Sequence, residues 1–262
     1  AIFLGDLRNL ELLGAFHAWV ERSRSPESES RASLAARVER ALLADEELLL
    51  APAFFPALRR RFPRIGDVRI ELKRGDHDDE LTRYRYDVTL HLDGPVSEPP
   101  AGRVLLGPGE LASTAALAEL LASTAAEVVE LAGLPNPRVA ADHRLLAWLA
   151  GEGPSIRREA RIPEGAPSPE AVLRVAEGLG WSAAASWSLA GPDRWDAVLV
   201  RPCSPLAGRA ATLAPVARQR PPEGELETWA SDPLHPRRCR ALAGRLRRSM
   251  EGALPDYMIL SS

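Results

Sequence analysis

The chain has 262 residues, 45% hydrophobic and 26% charged, with a net charge of -3. That is a soluble globular profile of one large or two ordinary domains, with no global bias toward nucleic acid or a membrane surface. No apolar run reaches the ~18 residues a membrane span needs, and no charged-then-apolar signal peptide opens the chain. Cys203 and Cys239 lie far apart and match neither a metal spacing nor a disulfide framework, which fits a reducing, cytoplasmic setting.

The opening residues, AIFLGD, read as a buried strand closed by a Gly5-Asp6 turn. No methionine precedes them, so a piece of a longer polypeptide is expected. Asn9 is placed to cap a helix whose apolar stripe is Leu10, Leu12, Leu13, Phe16, Trp19 and Val20. Pro26 and a Ser/Glu cluster break it. A second helix is predicted from Ser33 to Asp45, and a third over PAFFPALRRRF with Pro52 in its first turn. The period then changes to two. Val68, Ile70 and Leu72 alternate with Arg69, Glu71 and Lys73, and Tyr84, Tyr86, Val88, Leu90 and Leu92 stand in phase. Two such runs joined by a polar loop predict an antiparallel pair.

DGPVSEPPAG is Pro/Gly-rich and marks the best boundary. The expected division is 1–93, a linker at 94–102, a second α/β region at 103–202, a linker at 203–228, and a last segment at 229–262. Within 103–202, RVLLG reads as strand, ELASTAALAELLAS as helix, EVVELAG as strand and PRVAADHRLLAWLA as helix. Such alternation predicts a partly parallel sheet with helices packed on it. SPEAVLRVAEGLG-WSAAASWSLAGPDRWDAVLV then reads helix, strand, short loop, strand, as does the stretch from Pro52 to Leu92. Both second strands carry Arg-aromatic-Asp, as Arg85-Tyr86-Asp87 and Arg194-Trp195-Asp196. Duplication and the commonness of helix-plus-hairpin units explain this equally well. The end, RRCRALAGRLRRSMEGALPDYMIL, reads as a basic helix stopping before Pro255.

Residues 74–87, RGDHDDELTRYRYD, hold the densest chemistry. Asp76, His77, Asp78, Asp79 and Glu80 carry suitable ligand atoms, but consecutive residues on a tight loop rarely converge on one ion. Neither an EF-hand loop nor HExxH is present, so no metal site is expected. Two readings stay open. A hairpin loop can hang over a pocket and offer Glu80 or Asp79 as a base, or the acids are solvated and neutralise Arg74, Arg83 and Arg85. GPGE at 107–110 lacks the further glycine of a dinucleotide loop, GLGW at 178–181 reads as a helix stop, and GxSxG is absent. The Arg-rich helix at 237–248 has no interleaved aromatics, so a solvated face is favoured over nucleic-acid binding. His17, His91 and His143 read as packed, satisfied residues.

In order, several blocks resemble one family. IFLGDLRNLELLGAFHAWV is similar to the segment (I/V)F(V/L)GDVRxLxLLEAFHxxV, which begins at the fifth strand of the S-adenosylmethionine-dependent methyltransferase domains inserted in nonribosomal peptide synthetases. ELTRYRYDVTLHL resembles that family's ELTRFRYDVxLH. DEELLLAPAFFPALRRRFPRIGDVRIELKRG, LPNPRVAADHRLLAWLA and LGWSAAASWSLAGPDRWDAVLVR resemble the stretches around and after it. WASDPL and LPDYMIL look like the YAxDPL and LPxYM(I/V)P segments where the adenylation domain's C-terminal lobe resumes.

The resemblance implies an α/β fold made of the C-terminal half of a class I methyltransferase sheet, strands five to seven. A smaller α/β region and a tail ending in a helix would follow. Tyr84–Leu92, as strand seven, would insert beside strand five, with Val68–Lys73 at the edge. The cofactor loop lies in the earlier half, so no cofactor-binding residue is expected here, and the piece is expected to be inactive alone. The implied reaction moves a methyl group from S-adenosylmethionine to an aminoacyl or peptidyl group on a carrier's phosphopantetheine, most often at the backbone nitrogen. It requires an amine lone pair held ~3 Å from the methyl carbon. The implied partners are the adenylation and carrier domains. By position, Asp6, Arg8 and Arg85 would contact the acceptor, and Glu80, Thr82 and Tyr86 would act on it together with Asp78 and Asp79. The last two depart from the family, which carries His-Asn there. Leu260 also replaces the proline of the last motif, and without the lysine that normally follows, no adenylation activity is expected. An alternative reading makes residues 100–200 a non-catalytic docking module between synthetase domains.

Overall fold

The computed structural model describes residues 1–98, 100, 102–151, 167–215 and 225–251. It begins with β1 (Ile2–Arg8), followed by α1 (Leu13–Ser23), α2 (Arg31–Ala44) and α3 (Phe54–Arg61). Side-chain caps mark the approach to α1 and the start of α2, while α3 has none. Asn9 accepts the Glu11 N–H at a 3-10 turn leading into α1, and Ser30 accepts the Ser33 N–H at the start of α2. The strand does not end at Gly5-Asp6 as expected. It runs on to Arg8 through a bulge, with Asp6 at φ 59 and the pairing register broken between Leu4 and Leu7.

The two alternating stretches form β2 (Ile65–Leu72) and β3 (Arg85–Leu92), antiparallel, with Ile70 opposite Val88 and Leu72 opposite Tyr86. The in-phase residues Val68, Ile70, Tyr86 and Val88 are fully buried. Each aliphatic side chain so buried contributes about 1.5–3 kcal/mol. β3 also pairs antiparallel with β1, so the sheet order is β1-β3-β2. Tyr84 is not part of the strand. Glu80–Tyr84 form a short helix, α4, because Asp79 and Thr82 close a capping box over it.

A second sheet contains β4 (Arg103–Leu106), β5 (Val128–Pro135), β6 (Ser182–Trp187) and β7 (Arg194–Val200) in the order β4-β5-β7-β6. β4 and β5 are parallel and the other pairs antiparallel, so the sheet is partly parallel, as the alternation predicts. Its helices are α5 (Thr114–Ser123), α6 (Ala140–Leu149) and α7 (Pro169–Gly178), and α8 (His235–Glu251) follows. The fold is therefore α/β, with one antiparallel and one mixed sheet.

One apolar core runs through both sheets. It includes Tyr86 and Val88 from the first, Trp187 and Trp195 from the second, Phe55 from α3, and Trp181 just before β6. α1 packs against α6, and β2 against β6. Between the two sheets, Ser97 donates its N–H and hydroxyl to Asp67, which also accepts from Arg209 at 2.7 Å. Ala210, Ala211 and Leu213 are buried against Val128, Ala184 and Val198. Trp229 and Ser231 return to the first unit, where the Ala51 N–H donates to the Trp229 carbonyl and the Ser231 N–H to the Leu49 carbonyl, both at 2.9 Å. The LPDYM motif lies outside the described residues. Among the described residues no helix is long and apolar enough to cross a membrane.

Candidate functional site

Register creates the central electrostatic problem. Pairing of β1 with β3 sets Arg8 opposite Arg85. Like charges across a strand pair repel unless acids stand between them, and three carboxylates do. Arg8 pairs with Asp45 and lies 3.5 Å from Glu47. Arg85 pairs with Glu47 at 3.0 Å and Glu80 at 2.6 Å, and donates to the Asp6 carbonyl at 2.9 Å. Arg8 is 5% exposed, so its charge needs these partners. The Phe16 ring, 4.5 Å below its guanidinium, adds a cation–π contact. His17 places Nε2 2.8 Å from the same Asp45 oxygen. Burial pushes the Asp45 carboxyl up, but the Glu47 N–H, His17 and Arg8 outweigh it and hold it below its usual range.

Lys73, just after β2, sits between Asp6 at 2.6 Å and Asp87 at 2.7 Å. Burial works against the ammonium, yet the two carboxylates outweigh it and raise its affinity for its proton. The hydrogen bond and charge of Lys73 in turn lower Asp6. The cluster thus has five carboxylates (Asp6, Asp45, Glu47, Glu80 and Asp87) against three basic side chains (Arg8, Lys73 and Arg85). The excess negative charge, with Glu47 and Glu80 both partly exposed, suits an amine or cationic group at this surface.

The loop between β2 and β3 is held from the second unit. Arg138, just before α6, donates to the carbonyls of Lys73 and Gly75 at 2.8 Å and of Thr82 at 3.3 Å. Glu170 on α7 accepts the Gly75 N–H at 2.9 Å and both arms of Arg74 at 2.9 and 3.0 Å. These bonds with Arg74 pull the Glu170 carboxyl down to about 2. Asp142 on α6 accepts from Tyr84 Oη at 2.8 Å and Arg83 at 2.9 Å. Burial raises its carboxyl above the usual range.

The structure brings Asp6, Arg8, Glu80 and Arg85 together. Asp79 caps α4 through the Thr82 N–H at 3.0 Å, which lowers its carboxyl. Thr82 is buried, and its hydroxyl donates to the His77 carbonyl. Asp78 is exposed and pairs with Arg83 at 2.5 Å. Tyr86 is fully buried on the core face, where its hydroxyl donates to the Leu50 carbonyl at 2.7 Å. It stands apart from the charged cluster because side chains alternate along β3. Sequence reasoning missed Asp45, Glu47, Lys73 and Asp87, and read His17 as a packing residue. The available signal was the run Asp45-Glu46-Glu47, the counter-charge that two strand arginines require. Among the described residues no group of three or more His, Cys, Asp or Glu is placed to hold a metal ion.

No protein-family model matches the chain. It is 34% identical to the chondramide synthase of Chondromyces crocatus over 268 aligned residues, covering 98% of this chain and 7% of that protein. It is also 34% identical to a probable non-canonical nonribosomal peptide synthetase of Salinispora arenicola, over 98% of this chain and 3% of that protein. The bassianolide nonribosomal cyclodepsipeptide synthetase of Beauveria bassiana is 28% identical over 99% of this chain and 9% of its own length. The chain thus spans less than a tenth of each of these relatives, and over nearly its whole length it is homologous to a segment of nonribosomal peptide synthetases.

Proposed function

We propose that this chain is the C-terminal half of a methyltransferase domain within a cytoplasmic nonribosomal peptide synthetase, together with the bridge back to its adenylation domain. The observation that carries the reading is the sheet order β1-β3-β2, with β3 antiparallel between its neighbours. That is the arrangement expected of strands five, seven and six. Among the described residues β1 pairs within this sheet only with β3, which leaves an edge where preceding strands of the sheet would pair.

The described residues fit the acceptor side of such a site and not the cofactor. The carboxylates here are engaged by Arg8, Lys73 and Arg85, and no glycine-rich loop follows a strand of the first sheet. The donor of the methyl group, S-adenosylmethionine, is assigned to a preceding half. In this chain Glu47 and Glu80 would attract and orient an amine presented on a carrier's phosphopantetheine. Arg85 would fix both carboxylates so that neither must reorganise when the amine arrives. Asp6 and Arg8 would line the same face. Asp78, Asp79 and Thr82 would shape the loop, and Tyr86 would anchor β3 from below.

Titration calorimetry with S-adenosylmethionine tests this. The full chain should show no binding, whereas the complete synthetase module should bind it and methylate a carrier-bound aminoacyl group. Tight binding by the chain alone, or no methylation by the complete module, overturns the reading.

A further inference from the structure

The Arg-aromatic-Asp pair extends into a residue-by-residue correspondence. The orders β1-β3-β2 and β5-β7-β6 match in sequence and direction. Both first strands break register at one place, between Leu4 and Leu7 and between Leu131 and Leu134. The residue inside each bulge has positive φ, 59° at Asp6 and 67° at Gly133. Its N–H donates to an aspartate on the middle strand, Asp6 to Asp87 at 3.0 Å and Gly133 to Asp196 at 2.7 Å.

Three residues on, Asn9 and Asn136 are both fully buried. Each accepts from the N–H two residues later, at 3.0 and 3.1 Å, and each leaves its buried Nδ2 without a hydrogen-bond partner. Each donates its own N–H to the carbonyl just before the middle strand, Tyr84 at 2.9 Å and Asp193 at 2.8 Å. A shared helix-plus-hairpin shape requires none of these coincidences, least of all a buried asparagine with the same atom unpaired.

Equivalent elements also meet one another, α1 with α6 and β2 with β6. That is the isologous pattern of a two-fold dimer. The copies differ where charge matters. Asp6 and Arg8 correspond to Gly133 and Pro135, and the twelve-residue stretch 73–84 corresponds to the six residues 188–193.

We propose that the described residues 128–151 and 167–200 belong to a second, degenerate copy of the unit 2–92, which has given up the charged cluster and become a built-in partner that clamps the first copy's loop 73–84. Arg138 and Glu170 are positioning residues for Glu80 and the α4 turn. Their role in acceptor orientation rests on the methyltransferase reading; the clamp itself does not.

Hydrogen exchange in the full chain tests the clamp, with Arg138→Ala and Glu170→Gln as variants from two different elements. Exchange across residues 73–84 should accelerate at least about tenfold, while amides of β1 and α1 stay within about twofold of wild type. In the complete synthetase module the same variants should lower kcat for methyl transfer about tenfold, with S-adenosylmethionine affinity unchanged. Arg138→Lys, which keeps the charge but loses the fork, should fall between. Unchanged loop exchange in both variants overturns the clamp. Acceleration spread over the whole chain also overturns it, because the contacts are then merely structural. A loop that loosens while kcat holds overturns the positioning role. If the wild-type module transfers no methyl group but the loop responds, the functional reading fails and the clamp stands.

Discussion

Replacing Glu170 by glutamine preserves shape but removes the charge that Arg74 and the Gly75 N–H bind. A carboxyl held at about 2 against an ordinary value of 4.5 stabilises the folded state by up to about 3 kcal/mol at neutral pH, at about 1.4 kcal/mol for each tenfold change in proton affinity. Arg74 is half-exposed, and screening by water and salt brings the expected figure to about 1–2 kcal/mol. Because the folded-state value is depressed, the contribution is complete above about pH 4.5 and is lost as pH falls through about 2. Urea unfolding of wild type and Glu170→Gln across that window isolates this carboxylate from the others. The gap should be widest at neutral pH and shrink to less than about half by pH 3. A gap that stays constant on acidification, or that widens, refutes the reasoning.

Asp6→Ala should destabilise, since it keeps a strained φ of 59° and loses Lys73. Asp6→Gly should cost almost nothing in Tm, because relief of about 1 kcal/mol offsets an exposed ion pair. Lys73 is the sole lysine, and Asp87→Asn should speed its acylation severalfold by mass spectrometry at pH 8–9, since Asp6 and Asp87 raise its proton affinity. Phe55→Ala, at a fully buried position, should lower unfolding free energy in urea by about 3–5 kcal/mol. Ser168→Ala removes the side-chain acceptor for the Ala171 N–H at the start of α7 and should cost about 1 kcal/mol by the same measurement.

Period and punctuation carried most of the local structure. Val68, Ile70, Tyr86 and Val88 declare two half-buried strands because side chains alternate across a sheet. The stripe from Leu10 to Val20 declares a helix because its residues share one face. Asn9 declares where the 3-10 turn that leads into that helix begins. The resemblance of ELTRYRYDV and IFLGD supplied the order in which the strands pair, which periodicity cannot reach. Three things were decided only in the fold. Gly5-Asp6 became a bulge because an aspartate 81 positions away accepts its N–H. Tyr84 left its strand because the Asp79–Thr82 capping box outweighs alternation over five residues. The site gained Asp45, Glu47, Lys73 and Asp87 because Arg8 and Arg85 are brought face to face only when β1 and β3 pair. Local pattern sets which residues can be inside. Which charges must answer one another depends on register and on contacts between distant segments, and those exist only in the folded chain.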